Sequence, residues 1–213
     1  MHPEILSLTV GPLATNAYIL ADPERKEAVV IDPGWEGERI AHLIIQRGWR
    51  LTAIWLTHAH FDHLGGVAAL LRSISPPPPV GLHPKDCWLW QEKGGAEFFG
   101  ITIDDPGPAP DIGFYHGDIL EVGNLTCEVR HTPGHTPGHV AFYCPEAQVL
   151  FAGDLIFKNS VGRTDLPGGD WEALVESIRR EVYTLPDDTR ILPGHGPATS
   201  VGEEKFFNPF VSA

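Results

Sequence analysis

No apolar run in this 213-residue chain approaches the roughly 20 positions that a helix needs to cross a bilayer, which argues against a membrane role. The amino terminus, MHPEILSLTV, lacks the basic start, long apolar middle and small-residue cleavage site of a secretory signal, so the expected location is cytoplasmic. Cysteine is scarce and odd in number. Cys87, Cys127 and Cys144 form no CxxC pair, which argues against a disulfide framework or a cysteine-based zinc knuckle and leaves them as expected buried thiols. Basic residues are few, 15 against 28 acidic ones. The net charge of −13 repels polyanions and no Lys/Arg cluster offers a phosphate track, so the expected partner is a small-molecule substrate and not nucleic acid. No motif specifies an oligomeric state.

What is present suits a single domain over residues 1–213, with 42% hydrophobic and 20% charged residues. Alternating apolar residues predict strands at Ile5–Val10, Ala17–Leu20 and Ala28–Ile31, the last closed by the turn Asp32-Pro33-Gly34. Ile40, Leu43 and Ile44 carry helical spacing between Glu36 and Gly48, and Ala53–Leu56 reads as a buried strand. A helix is expected to run on from Asp62 through Arg72 despite Gly65 and Gly66, until the prolines at 76–79 stop it. Another is expected over Pro84–Phe99, whose aromatic residues are either core or, with the loop to Pro110, a lid. Strands at Ile119–Val122, Leu125–Arg130, Val140–Tyr143 and Gln148–Ala152, a helix near Trp171–Tyr183 and a strand at Arg190–Leu192 follow. The tail residues Phe206, Phe207 and Phe210 are expected to cover either the core or a neighbouring subunit, core packing being the leading expectation.

The most informative run is Thr57-His58-Ala59-His60-Phe61-Asp62-His63, which places four metal-ligating side chains in six residues directly after an apolar strand. Three further strand-like stretches also lead to such a residue: CEV to His135, VLFAG to Asp154 and RILPG to His195. Loops of this kind can converge on one edge of a sheet. Imidazole and carboxylate without thiolate favour zinc, iron or manganese, and seven donors exceed what one tetrahedral zinc uses, so two metals are expected. Seven donors also speak against a purely structural site, which closes its coordination with four.

In this order and across most of the chain, the HxHxDH, His, Asp, His pattern resembles that of the metallo-β-lactamase superfamily. The resemblance implies an α/β fold, a four-layer αββα sandwich. It implies a first metal on His58, His60 and His135, a second on Asp62, His63 and His195, and Asp154 bridging them, with two divalent ions, zinc foremost and iron or manganese as alternatives. His139 then acts behind the ligands as a hydrogen-bond donor, and His131 either does likewise or is structural. His2, His42, His83 and His116 are expected at the surface or in packing. The implied chemistry is hydrolysis by a metal-bridging hydroxide, with Asp62 as the catalytic carboxylate that orients it.

Aspartate rather than cysteine at 154 resembles the thioesterase-type members and disfavours antibiotic hydrolysis. The stretch Val161–Asp170 is similar to that of short hydroxyacylglutathione hydrolase (glyoxalase II)-like proteins. By that likeness Arg163 binds substrate through a carboxylate, the alternative being an ion pair with Asp165 or Asp170. The short stretch after His195 does not supply the helical domain that completes the glutathione site of full-length glyoxalase II enzymes, and Asp165 stands where those carry a tyrosine. The leading expectation is a thioester hydrolase acting on S-lactoylglutathione or a related hydroxyacyl thioester. The rivals are a mononuclear iron persulfide dioxygenase, whose Gly-Arg-Thr-Asp loop is similar, and a lactonase of the same superfamily.

Overall fold

Alternate residues of each central strand point into different apolar layers, and this alternation sets the architecture. In the computed structural model, which describes residues 3–213, the first sheet takes its six strands in chain order. These are β1 (Glu4–Val10), β2 (Thr15–Asp22), β3 (Glu27–Ile31), β4 (Arg50–Trp55), β5 (Val80–Leu82) and β6 (Ile112–Gly113). β1 to β3 form an antiparallel meander, and β3 to β6 run parallel. The second sheet holds β7 (Ile119–Val122), β8 (Leu125–His131), β9 (Val140–Cys144) and β10 (Val149–Gly153). After a small hairpin of β11 (Ile156–Phe157) and β12 (Ser160–Val161), β13 (Arg190–Pro193) joins β10 in parallel and β14 (Thr199–Ser200) closes the edge.

On β3, Val29 and Ile31 face the second sheet while Ala28 and Val30 face helices; on β10, Val149 and Phe151 point between the sheets while Leu150 and Ala152 point outward. Strands buried on both faces are why AVVI and VLFAG read as unbroken apolar runs. Tyr18, Leu20, Trp55, Phe142 and Phe151 fill the space between the sheets. Outside the first sheet lies α1 (Gly37–Arg47), which buries Ile40 and Ile44 and ends where Gly48 turns left-handed, its N–H on the Ile45 carbonyl. Outside the second sheet lies α5 (Trp171–Ser177), started by the Asp170 carboxylate, which accepts the Ala173 N–H at 3.0 Å, and packed through Leu174. Two facing sheets between outer helices make the αββα sandwich, as the resemblance implied.

Several expectations are corrected. The helix from Asp62 to Arg72 is two pieces, α2 (Phe61–Leu64) and α3 (Val67–Ser73). It breaks because Gly65 and Gly66 press on the Asp32-Pro33-Gly34 turn, where a Cβ on Gly66 would lie 2.8 Å from the Pro33 carbonyl oxygen. The Pro84–Phe99 segment is likewise broken, with α4 (Cys87–Gln91) between two 3-10 turns and left-handed Gly94 and Gly95 beyond it. Cys127 and Cys144 are not thiols but a disulfide, because the register of β8 on β9 sets them opposite one another. Such a bond is rare in reducing compartments. The tail forms α6 (Val201–Phe207), which buries Val201 and Glu204 and leaves Phe206, Phe207 and Phe210 81%, 72% and 54% exposed instead of in the core. His42 and His116 are exposed and His83 is packed, whereas His2 lies outside the described residues.

Candidate metal centre

The parallel strands and their neighbours deliver the polar residues to one edge of the sandwich. β4 runs into Thr57 and His58; His60 is still extended, with φ −69° and ψ 149°, and α2 begins only at Phe61. His58 and His60 are therefore projected from a loop, and Asp62 and His63 from the first turn of a helix. β10 ends at Gly153, whose φ of +49° turns the chain into Asp154 and whose missing Cβ would lie 2.7 Å from His139 Nε2. β13 ends at Gly194-His195. Its backbone is held from the other sheet by the Asn16 N–H on the Gly194 carbonyl at 2.7 Å and the Tyr18 hydroxyl on the Pro193 carbonyl at 2.7 Å.

These loops bring seven donors together. His58, His60 and His135 form one group, Asp62, His63 and His195 a second, and His58, His63 and Asp154 a third, the donor atoms of each lying within 4.8 Å of one another. Asp154 thus stands with one histidine from each of the other groups. Its Oδ1 is 3.4 Å from His63 Nε2 and its Oδ2 is 3.6 Å from both His135 Nε2 and His195 Nε2. His60 Nδ1 and His135 Nε2 face each other at 2.9 Å.

The outward nitrogens are already committed. His63 Nδ1 donates to Asp32 Oδ2 at 2.9 Å, His135 Nδ1 to the Arg163 carbonyl at 2.7 Å and His195 Nδ1 to the Leu13 carbonyl at 3.1 Å. The Thr57 hydroxyl gives its proton to Asp32 Oδ2 at 2.7 Å, so it can only accept from His58 Nδ1, 3.0 Å away. One carboxylate therefore fixes the tautomer of His63 directly and of His58 through Thr57, turning both Nε2 lone pairs inward. Those two nitrogens and Asp154 Oδ1 are buried without a hydrogen-bond partner among the described residues. Three such orphans in one place are costly unless something cationic satisfies them.

Electrostatics sharpen this. Burial, reinforced by the neighbouring imidazoles, pushes His58 well below its usual pKa and His60 down to about 3. Burial also opposes charge on His63, but Asp62, Asp154 and Asp32 outweigh it and raise its pKa. For Asp62 and Asp154, burial favours the neutral acid, and His63 with His195 overcomes it, so both carboxyls are held below the ordinary range. His58, His60 and His135 are thus held neutral and Asp62 and Asp154 ionised, the states in which such groups bind metal, whereas the carboxylates favour a proton on His63 and His195 that a bound metal would displace.

The remaining candidates fall elsewhere. Arg163 pairs with Asp165 through two bonds of 2.7 and 2.8 Å, its guanidinium solvent-facing at the mouth of the centre. His139 does not donate toward the ligands; its Nε2 accepts the Asp154 N–H at 3.1 Å while Nδ1 meets the Thr132 hydroxyl at 2.8 Å. His131 stacks on His83 with centroids 4.3 Å apart, away from the centre. Of the aromatic insertion, Trp90 is core and Phe99 lines the cavity over the centre.

Three supporting residues had no distinct signal in the sequence. Asp32 was legible only as a turn residue. Thr15 donates to Asp62 Oδ2 at 3.1 Å. Asp86, fully buried, accepts the Thr136 hydroxyl at 2.7 Å, the Gly138 N–H at 2.6 Å and the Ala59 N–H at 3.3 Å, tying the His58–His60 loop to the His135 loop.

Two sheets delivering histidines and aspartates from strand ends to one edge define a metallohydrolase scaffold. The sequence pattern of the Metallo-beta-lactamase superfamily matches residues 10–195, and the chain belongs to that superfamily. It is 38% identical to the hydroxyacylglutathione hydrolase GloC of Haemophilus influenzae, over 100% of this chain and 99% of that one. Among solved structures it is similar to BLEG-1, a B3 metallo-β-lactamase, with a TM-score of 0.90 at 40% identity over 99% of this chain and 100% of the other. TTHA1623 in a di-iron-bound form gives a TM-score of 0.86 at 44% identity, covering 97% and 100% of the two chains. ETHE1 from Myxococcus xanthus gives 0.81 at 28% identity, covering 98% and 84%.

Proposed function

We propose that the chain is a metal-dependent hydrolase of a small-molecule thioester, with S-lactoylglutathione or a related hydroxyacyl thioester as the leading candidate. The carrying observation is the trio of orphaned, inward-facing atoms, His58 Nε2, His63 Nε2 and Asp154 Oδ1, at the centre of seven donors. This donor set fits a pair of divalent cations. His58, His60 and His135 would hold one and Asp62, His63 and His195 the other, with Asp154 between them; zinc is the first expectation, and the di-iron form of TTHA1623 makes iron the second. Divalent metals bound there would acidify a water and polarise a carbonyl, the two needs of acyl hydrolysis.

The chain's own residues do the rest. Asp62, braced at Oδ2 by the Thr15 hydroxyl and His195 Nε2, each 3.1 Å away, would orient the attacking water through its carboxylate. Arg163 would meet a substrate carboxylate on its unpaired Nη1 side, or on its Nε–Nη2 edge if one displaced Asp165. No helix among the described residues is long and apolar enough to cross a membrane; cytoplasmic residence is part of the proposal, against which the Cys127–Cys144 disulfide stands.

The second reading is a mononuclear iron persulfide dioxygenase, supported by the ETHE1 likeness. Two histidines and one aspartate would suffice for it, so the donor set serves either reading, and the Leu192–Pro197 ending, similar to that of the short hydrolases, supports the hydrolase. The test is metal analysis of purified protein with assays on S-lactoylglutathione, an acyl homoserine lactone, a cephalosporin and glutathione persulfide. The lactam belongs in the panel because of BLEG-1. About two metals per chain with thioester turnover is expected. One iron per chain with oxygen uptake on the persulfide, and no thioester turnover, would overturn the reading.

A further inference from the structure

Resting on the thioesterase reading but departing from its glutathione candidate, we propose that the substrate carries an apolar, uncharged acyl group several carbons long, and that the wall of the cavity over the centre selects it. That cavity encloses about 460 Å³, within the range of small-molecule sites. Its floor is His60, Asp62, His135, Asp154 and His195. Its walls include Leu13 and Phe157 beside His195, Phe99 against Phe61, and Ile101, Val161 and Leu166. Leu13 and Phe99 are 47% and 44% exposed, so apolar surface is held open to water in the same cavity as the donors. Covering such surface is the main gain available to a ligand there.

Beyond the floor, the only charged side chain in the lining, among the described residues, is Arg163, and the Nε–Nη2 edge of its guanidinium is taken by Asp165. A glutathione moiety carries two carboxylates and an ammonium. A carboxylate on the remaining Nη1 side of Arg163, or one displacing Asp165, would have the like charge of Asp165 beside it, in a chain of net charge −13. The walls offer no counter-charge for the ammonium. An uncharged chain of methylenes or an aromatic ring meets no such conflict.

The test uses the metal-loaded protein and thioesters of one uncharged thiol, N-acetylcysteamine, with acetyl or hexanoyl groups, beside S-lactoylglutathione. Each fully buried methylene is worth about fourfold in affinity; with a cavity open to solvent, a hexanoyl-over-acetyl ratio in kcat/KM of about tenfold or more is expected. Leu166→Asn and Phe99→Ala should each lower that ratio by about threefold or more. Asp165→Ala, which frees Arg163, should raise turnover of S-lactoylglutathione relative to the hexanoyl thioester. A wild-type ratio near one, or S-lactoylglutathione preferred tenfold over hexanoyl, overturns the inference. Calorimetry with non-hydrolysable hexyl and ethyl thioethers separates this from the parent reading. Tighter hexyl binding with no thioester cleaved upholds the apolar site and sinks the thioesterase. Equal binding sinks the apolar site whatever the turnover.

Discussion

Asp32→Asn exchanges one oxygen for an NH2 group without changing shape, and the bonds around Asp32 dictate the effect on the centre. Its Oδ1 accepts the Thr57 N–H at 2.8 Å, and its Oδ2 accepts both the Thr57 hydroxyl and His63 Nδ1. If the amide oxygen stays on the Thr57 N–H, the new NH2 faces two groups that were donors. His63 must then accept at Nδ1 and carry its proton on Nε2. Thr57 must accept from the amide and donate to His58 Nδ1, which moves the His58 proton to Nε2 as well. Both lone pairs leave the centre. Loss of one such outer partner costs about 10–100-fold in metal affinity, so two coupled flips predict a loss of about 10²–10⁴-fold. The opposite amide orientation sets NH2 against the Thr57 N–H and leaves a buried donor unpaired, at about 1–3 kcal/mol of stability. Competition against a chelator of known affinity reads the first effect and thermal melting of metal-free protein the second. If Asp32→Asn binds metal as tightly as wild type and melts unchanged, the reasoning about Asp32 is wrong.

Other expectations rest on the same kind of bond. Asp86→Ala strands two well-placed buried donors and one longer one, which predicts a loss of about 3 kcal/mol and a fall in Tm of about 6–12 °C, together with weaker metal binding; an unchanged melt would remove Asp86 as the tie between loops. Stripping metal with a chelator should lower Tm by about 5–10 °C, since a ligand at a hundredfold its Kd contributes about 2.7 kcal/mol; calorimetry of apo and reloaded protein checks it. For Asp22, burial favours the neutral acid, but the N–H groups of Asn124, Arg25 and Glu24 outweigh it and depress the pKa. A depressed carboxyl contributes stability above its ordinary range and loses it as pH falls through the folded value. Asp22→Ala should therefore cost about 1–2 kcal/mol near neutrality and progressively less in acid, measured by urea titration at several pH values.

The long strands were legible because both their faces are buried, so Ala28–Ile31 and Gln148–Ala152 stand out as apolar runs wherever they sit in the fold. The seven donors were legible for a related reason: each comes after such a run, and their residue types and spacing leave few other uses. What stayed hidden depends on partners distant in sequence. Asp32 reads as a turn residue, and its work is set by His63, 31 positions on. Asp86 bonds residues 27, 50 and 52 positions away, which no local pattern records. The Cys127–Cys144 pair arises from strand register, and spacing of 17 residues carries no such information. The break at Gly65-Gly66 arises from contact with the Pro33-Gly34 turn, an approach only the assembled fold reveals.

Each of the three donor groups draws two members from the segment His58–His63, after the first sheet, and one from the second: His135, Asp154 or His195. Sliding one sheet across the other would detach a member from every group in a single movement. Parting of the sheets would therefore release every cation at once, a route of metal loss separate from exchange through the open cavity above the centre.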